Sequence, residues 1–119
     1  MGDYHKLDVW KRACALADEV AIIVDEEIPD GRTSSMGDQL IRSSDSIHQN
    51  IAEGCGYGSD RQLRKYLKQA LGSTDEVQDD LEALQRRQLL KPQREHLLED
   101  AKILAKKLSR FIDTVSGEA

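Results

Sequence analysis

The sequence has few of the residues that mark disulfide-rich, zinc-binding or membrane proteins. Only two cysteines, Cys14 and Cys55, occur among its 119 residues, which excludes a disulfide framework and does not supply the ligand spacing of a zinc site. The longest uninterrupted apolar run is residues 20–24, far short of the roughly 20 residues that cross a bilayer. The amino terminus has no apolar signal core. We therefore expect a cytoplasmic protein without a membrane partner, with two buried or half-buried thiols.

Basic residues are also not in excess. The chain has 17 Lys and Arg against 22 Asp and Glu, a net charge of −5, and a pI near 5.2. Non-specific attraction to nucleic acid depends on neutralising phosphates with Lys and Arg. The overall charge therefore disfavours nucleic acid as a partner and leaves open only a local basic patch.

What the sequence does contain is typical of a soluble helical protein. Hydrophobic residues make up 39%, charged residues 33% and aromatic residues 4%, so the core must be built from Leu, Ile, Val and Ala. No segment alternates with a period of two, and we predict no sheet. Apolar residues instead recur at helical spacing, predicting helices at about 9–28, 34–54, 60–88 and 92–115. We expect one domain, residues 1–119, folded as an up-down-up-down four-helix bundle.

Helix boundaries are indicated by a few residues between these segments. Pro29-Asp30-Gly31 stops helix one, and Gly54 is predicted to close helix two in the left-handed conformation. Ser59 with Gln62 forms a capping box for helix three. Pro92 suits the first turn of helix four, where its missing N–H is harmless.

Several apolar residues do not fit the interior predicted for this bundle. Three of them widen the stripe of helix one, and two lie off the main faces of helices two and four. They are Leu16, Val20, Ile23, Ile41 and Ile103. Together they indicate a second buried surface, which in a small helical chain usually means self-association.

Helix two is also unusual in its polar residues. Gln39, Ser43, Ser46 and Asn50 form a narrow strip beside its apolar face, where small side chains would let another helix come close. Gly72 in helix three has the same interpretation, because glycine inside a helix costs about 1 kcal/mol relative to alanine.

Asn50 and Glu53 are neighbours on one face near the end of helix two. We expect them to bridge helices or subunits, through Arg42 or a basic residue of helix three, because buried polar groups need partners. The alternative is a polar functional site at one end of the bundle.

The order of these residues resembles a known family. The matching positions run from Leu7-x-Val9-Trp10 through Gln39-Leu40-x-Arg42-Ser43, Ser46-Ile47, residues 50–54 (Asn-Ile-Ala-Glu-Gly), Gly56, Ser59 and Tyr66-Leu67 to residues 70–73 (Ala-Leu-Gly-Ser) and Glu76. They resemble the four-helix-bundle proteins encoded in intervening sequences of bacterial 23S ribosomal RNA genes, which are similar in fold to the accessory variability proteins of diversity-generating retroelements. The resemblance implies a left-handed bundle assembled as a ring-like homopentamer, with a role that is poorly defined even for the family.

The resemblance also selects a motif for helix packing or assembly. Its members are Arg42, Ser43, Ser46, Asn50, Glu53, Gly54, Gly72 and Ser73. The chain departs from the family at His48-Gln49, where Pro-Ser is common, and at Asp45, where a small apolar residue is usual. Loss of the proline should make helix two more regular.

Helix three is polarised along its length. Arg61, Arg64, Lys65 and Lys68 lie on the face opposite its apolar stripe, and the later half of the helix is acidic. A solvated helical face explains this pattern. Two other interpretations stay open, namely contact with an acidic segment of a neighbouring copy and binding of nucleic acid. The sequence shows no stacking aromatics near these residues, which counts against sequence-specific binding of single-stranded RNA.

No group of residues predicts a catalytic, metal or cofactor site. The loop Gly54–Ser59 lacks the Gly-Lys-Ser/Thr ending of a phosphate-binding loop. Ser44, Asp45 and His48 cannot form a catalytic relay from one helix. His5 and His96 are isolated in the sequence. We predict a non-enzymatic, self-assembling protein with no cofactor and no small-molecule substrate.

Overall fold

Four α-helices make up most of the chain in the computed structural model, which describes residues 3–115. They are α1 (Asp8–Glu27), α2 (Ser35–Gly56), α3 (Asp60–Arg86) and α4 (His96–Thr114). Short 3-10 turns occupy Tyr4–Lys6, Gly31–Thr33 and Pro92–Arg94. No strand occurs among residues 3–115, so the all-α prediction is confirmed. Within the same residues, no helix combines the length and the apolar character needed to cross a membrane.

The ends of α2 and the start of α3 show which local signals act. The Ser34 hydroxyl accepts a hydrogen bond from the Gly37 N–H at 2.9 Å and caps α2. The Ser59 hydroxyl accepts one from the Gln62 N–H at 3.2 Å and caps α3, as predicted. The prediction that Gly54 ends α2 is wrong, because the helix continues to Gly56. The left-handed glycine of this turn is Gly58, with φ of 70°.

Each helix packs against two others around one core. α1 contacts α2 and α4, and α3 contacts the same two helices, with α2 and α3 in the most extensive contact and α1 and α4 in the least. The resulting molecule measures 46 × 23 × 21 Å. The largest fully buried side chains are Val20, Ile23, Val24, Leu40, Ile47, Ile51, Leu67, Leu81, Leu84, Leu97, Leu104 and Leu108.

The wide apolar stripe of α1 belongs to this core. Leu16 is 3% exposed, and Val20 and Ile23 are completely buried. The prediction that these three residues form an oligomer face is therefore wrong. Because α1 packs against both α2 and α4, it needs two adjacent apolar faces within its own chain. Ile41 and Ile103 are half-buried and can still contact another molecule.

Candidate functional site

A line of polar side chains, which we call the polar seam, joins α2 to α3. Three hydrogen-bonded contacts run across it. Gln39 donates to both carboxylate oxygens of Asp80 at 3.2 and 3.1 Å, Ser43 donates to Glu76 at 3.0 Å, and the hydroxyls of Ser46 and Ser73 are 2.9 Å apart. Each step of three or four residues forward along α2 matches an equal step backward along α3. The seam therefore fixes the register of these two helices at a partly exposed surface.

A polar groove lies along the seam. Its volume is about 450 Å³, and its lining residues are Gln39, Arg42, Ser43, Ser46, Ser73 and Glu76. Serine side chains at three of these six positions leave the space open. The side chain of Arg42 is 74% exposed above the groove and pairs with Asp38 of its own helix at 3.1 Å. The groove can thus accept hydrogen-bonding groups from another molecule.

Asn50 and Glu53 do not bridge α2 to another helix. The Asn50 amide donates to the backbone oxygen of Ser46 at 2.8 Å and to its hydroxyl at 2.9 Å, both within α2. Glu53 is exposed near Tyr57, so the predicted bridge within the chain through Arg42 is wrong. Asn50 instead orients the Ser46 hydroxyl that meets Ser73, which connects it to the polar seam.

The close approach of helices predicted for Gly72 is found at Gly54. A Cβ at Gly54 would lie 3.0 Å from the Tyr66 Cβ and 3.3 Å from the Leu63 backbone oxygen, so α3 packs directly on this backbone. A Cβ at Gly72 would meet no other atom of the described chain within 4 Å. The packing interpretation of Gly72 within one chain is therefore wrong. Gly72 instead leaves an open position beside Ser73.

Basic residues surround a second surface, at the start of α3. Arg61, Arg64, Lys65 and Lys68, with Gln69, line a cavity of about 450 Å³. The structure therefore brings together all four residues of the predicted basic patch. Arg64 has a structural role, because it donates to the backbone oxygens of Ile112 at 2.9 Å and Val115 at 3.3 Å and caps the end of α4. Arg61, Lys65 and Lys68 are exposed.

Two tyrosines lie next to this basic patch. The rings of Tyr57 and Tyr66 stack at 5.3 Å between centroids, and the Lys65 ammonium is 5.4 Å from the Tyr66 ring. Tyr57 is 49% exposed. Its hydrogen bond with the Tyr66 hydroxyl raises the pKa of Tyr57 to about 12, with Glu53 adding to the shift. The expectation that no stacking aromatic lies near the basic residues is wrong, since the turn after α2 brings Tyr57 back onto α3.

The chain is similar to known proteins in both sequence and fold. The family model of the 23S rRNA-intervening sequence protein matches residues 5–110. The chain belongs to this family. A crystal structure from Bacteroides thetaiotaomicron, described as a protein with unknown function from the S23 ribosomal protein family, is similar with a TM-score of 0.80. At 25% sequence identity, the similarity covers 89% of this chain and 96% of that one. No curated protein matches the chain.

The residues that line the groove are part of the pattern by which the sequence resembles the 23S rRNA-intervening sequence family. All six lining residues are among the positions that matched the family pattern, and five of them are seam residues. Sequence reasoning missed Asp80, the sixth residue of the seam. The signal was present, because Ser73, Glu76 and Asp80 recur at the spacing of one helical face.

Asp80 is the buried charged end of the polar seam in this family member. It is 6% exposed. Burial raises the pKa of its carboxyl, the hydrogen bond from Gln39 lowers the pKa, and the nearby Asp79 and Glu76 raise it further. The net effect is a raised pKa. Folding therefore disfavours the ionised form of the Asp80 carboxyl.

Replacing Asp80 with asparagine should therefore stabilise the protein at pH 7 and have little effect at pH 3. The pKa of Asp80 is higher in the folded chain than in the unfolded chain. The free energy of unfolding therefore falls as the pH rises from the pKa of the unfolded state through that of the folded state. Asparagine cannot ionise and still offers Gln39 an oxygen. Urea unfolding of Asp80→Asn at several pH values measures the difference, with Asp75→Asn as the control, because Asp75 is exposed on the same helix. An equal gain in stability at pH 3 would show that charge is not the cause.

Both cysteines are withdrawn from solvent to some degree. Cys14 is half-buried and Cys55 is buried. Burial raises the pKa of both thiols, and Asp18 raises that of Cys14 further. A thiol with a raised pKa stays protonated at neutral pH and is a poor nucleophile.

Proposed function

We propose that this chain is a non-enzymatic cytoplasmic protein that assembles with copies of itself through the surface around the polar seam. Each chain would be an up-down-up-down, left-handed bundle, and the assembly would be the ring-like homopentamer that the family resemblance implies. Its function would reside in the assembled surface. The observation that carries the proposal is the groove of about 450 Å³ that small polar residues leave open between α2 and α3.

The groove supports assembly because its chemistry suits a protein surface. Serine hydroxyls donate and accept hydrogen bonds, so they can meet either kind of backbone or side-chain group on a neighbour. Gly72 adds an open position on the flank of the groove, where a neighbouring helix can approach the backbone of α3.

Charge also favours contact between copies. Around the seam, α3 exposes Glu76 and Asp79, whereas the exposed side of α4 has Lys102, Lys106 and Arg110. In a closed ring, each chain presents different surfaces to its two neighbours. An acidic α3 surface on one copy can therefore face a basic α4 surface on the next.

The solution mass tests the proposal directly. Light scattering coupled to size exclusion should give a stable mass of five 13.4 kDa chains at two protein concentrations and two salt concentrations. A different constant multiple would support assembly and replace the pentamer. A concentration-independent monomer would overturn the proposal.

Replacing Gly72 with leucine should disrupt the assembly and leave the fold of the single chain intact. Within one chain the new side chain enters open space, and leucine favours a helix over glycine by up to about 1 kcal/mol. Between copies it would fill the gap beside the groove. We expect the mass to fall to that of a single chain while the helical circular dichroism signal stays unchanged.

Gln85→Leu is the matched control for Gly72→Leu. It adds an exposed leucine to the other side of the same helix, so it tests whether any new apolar group alters the mass. The control should retain the mass of the original assembly. If Gly72→Leu also retains it, the assembly does not use this part of α3.

A second candidate function, nucleic-acid binding, is favoured by the exposed tyrosine beside the basic patch. Tyr57 can offer a ring face for a base to stack on, and Arg61, Lys65 and Lys68 can contact phosphates. This combination of stacking and charge is what single strands and the exposed loops of structured RNA require. The acidic net charge of −5 confines such binding to this surface.

Reversing the charge at Arg61 and Lys65 together should then weaken RNA binding by about tenfold or more, since phosphate contacts dominate such affinities. Anisotropy titrations with a structured RNA across salt should show a slope shallower by about two, one for each lost contact. Lys102→Glu with Lys106→Glu on α4 is the control, because it changes the net charge equally. If both double variants lose RNA affinity equally, the binding depends on overall charge and not on the basic patch. If the unchanged protein does not bind RNA, this candidate function is wrong.

A further inference from the structure

Three side chains that can bind a metal ion converge between α1 and α4. Glu19 lies on α1, His96 is the first residue of α4, and Asp100 follows one turn later. One ligand atom from each residue lies within 4.8 Å of the other two. His96, which looked isolated in the sequence, thus has a carboxylate on each side.

A hydrogen bond selects the tautomer of the neutral His96 ring. Its Nδ1 is 3.0 Å from the backbone oxygen of Gln93. A carbonyl oxygen can only accept, so Nδ1 must carry a proton and donate. The neutral ring then has its lone pair on Nε2, which faces the Glu19 carboxylate at 3.4 Å from each oxygen. A backbone carbonyl on the second ring nitrogen is the usual support of a metal-binding histidine.

The distance between Nε2 and Glu19 suits a metal ion better than a shared proton. A lone pair facing a carboxylate is repulsive unless a cation lies between them. A charge-assisted N–H···O contact is about 2.7–2.9 Å long, shorter than the 3.4 Å seen here. Nitrogen and oxygen ligands at about 2.0–2.1 Å from a tetrahedral zinc ion are roughly 3.3 Å apart.

We propose that Glu19, His96 and Asp100 bind a divalent transition-metal ion, Zn²⁺ in the first instance, with solvent in the fourth position. The imidazole ligand selects zinc and its neighbours over Mg²⁺ and Ca²⁺, which prefer oxygen ligands alone. Access needs no opening of the bundle, because the side chains of His96 and Glu19 are 50% and 37% exposed. The ion would link α1 to α4, which make the least extensive contact of the four packed helix pairs, and so stabilise the fold.

Calorimetric titration of EDTA-treated protein with zinc chloride tests the site. We expect one ion per chain, and a rise in the thermal midpoint when zinc is added. His96→Gln should weaken binding at least tenfold and remove the rise in midpoint. Glu19→Gln should weaken zinc binding as well, because it removes a charged ligand. The His96 ring stays in place in this variant, so the loss reports on the carboxylate alone.

His48→Gln is the matched control. His48 lies 3.7 Å from Asp45, so it also pairs with a carboxylate, but it has no second carboxylate partner in the described chain. This variant should bind zinc as the unchanged protein does. Absence of zinc binding by the unchanged protein, or undiminished binding by His96→Gln, would overturn the proposal.

Discussion

Replacing Gly37 with alanine should lower the free energy of unfolding by about 2–3 kcal/mol, combining an overpacked contact with a lost helix cap. A Cβ at this position would overlap the backbone oxygen of Gly31 and lie 2.9 Å from the Gly31 carbonyl carbon. The turn between α1 and α2 must move to make room. That oxygen also accepts hydrogen bonds from the Ser34 hydroxyl at 2.7 Å and the Ser34 N–H at 3.2 Å, so the movement would disturb the cap of α2.

Chemical unfolding of Gly37→Ala followed by circular dichroism measures this loss. Gly56→Ala is the control, because it makes the same substitution in the same helix where a Cβ meets no other atom within 4 Å. Its stability should change by less than about 0.5 kcal/mol, as for most surface substitutions. If the two variants are equally stable, the turn at Gly31 can move without loss of stability. The steric explanation for Gly37 is then wrong.

The glycines show why sequence alone located the helices better than their contacts. Glycine in a helix signals a reason for the missing side chain, but that reason depends on neighbours that are distant in the sequence. Gly37 and Gly54 lie against other backbone or side-chain atoms, whereas Gly72 faces open space. Only the register of α2 on α3 distinguishes Gly54 from Gly72.

The same limit explains the misassigned stripe of α1. Periodicity identifies which residues of a helix are apolar and share a face. It does not reveal how many helices of the same chain that face must contact. Leu16, Val20 and Ile23 looked superfluous because the prediction gave α1 one core face, whereas α1 packs against two helices.

Where the pattern was local, the sequence was informative. The capping residue Ser59 and the strip containing Ser43 and Ser46 both have the contacts that their residue types favour. The tyrosine pair was not foreseeable in this way. Tyr57 lies beyond the end of α2 and Tyr66 lies within α3, so their stacking depends on the path of the turn between the helices.

The second large effect is expected at a buried carboxylate near the end of α1. The side chain of Glu27 is only 3% exposed, and its nearest cationic atoms, the Arg94 Nε and the Lys91 Nζ, are both 3.9 Å from Oε1. Its other oxygen has no hydrogen-bond partner among residues 3–115. Lys91 is 60% exposed and Arg94 only 24%, so Arg94 is the less solvated of the two cations.

Replacing Arg94 with alanine should therefore destabilise the protein by about 2–3 kcal/mol, because the buried Glu27 charge loses the less solvated of its two cationic neighbours. Adding Glu27→Gln to Arg94→Ala should restore most of that loss, since a neutral amide needs no counter-ion. Unfolding of both single variants and the double variant gives the coupling between the two sites.

Glu26→Gln provides the control for that rescue. Glu26 also lies within 3.5 Å of Arg94, but its side chain is 63% exposed and is well solvated without a partner. Removing its charge in the Arg94→Ala background should recover little stability. If Glu26→Gln restores as much as Glu27→Gln, the loss comes from the overall charge of this end of the bundle. If neither restores it, Arg94 stabilises the turn before α4 through the packing of its side chain.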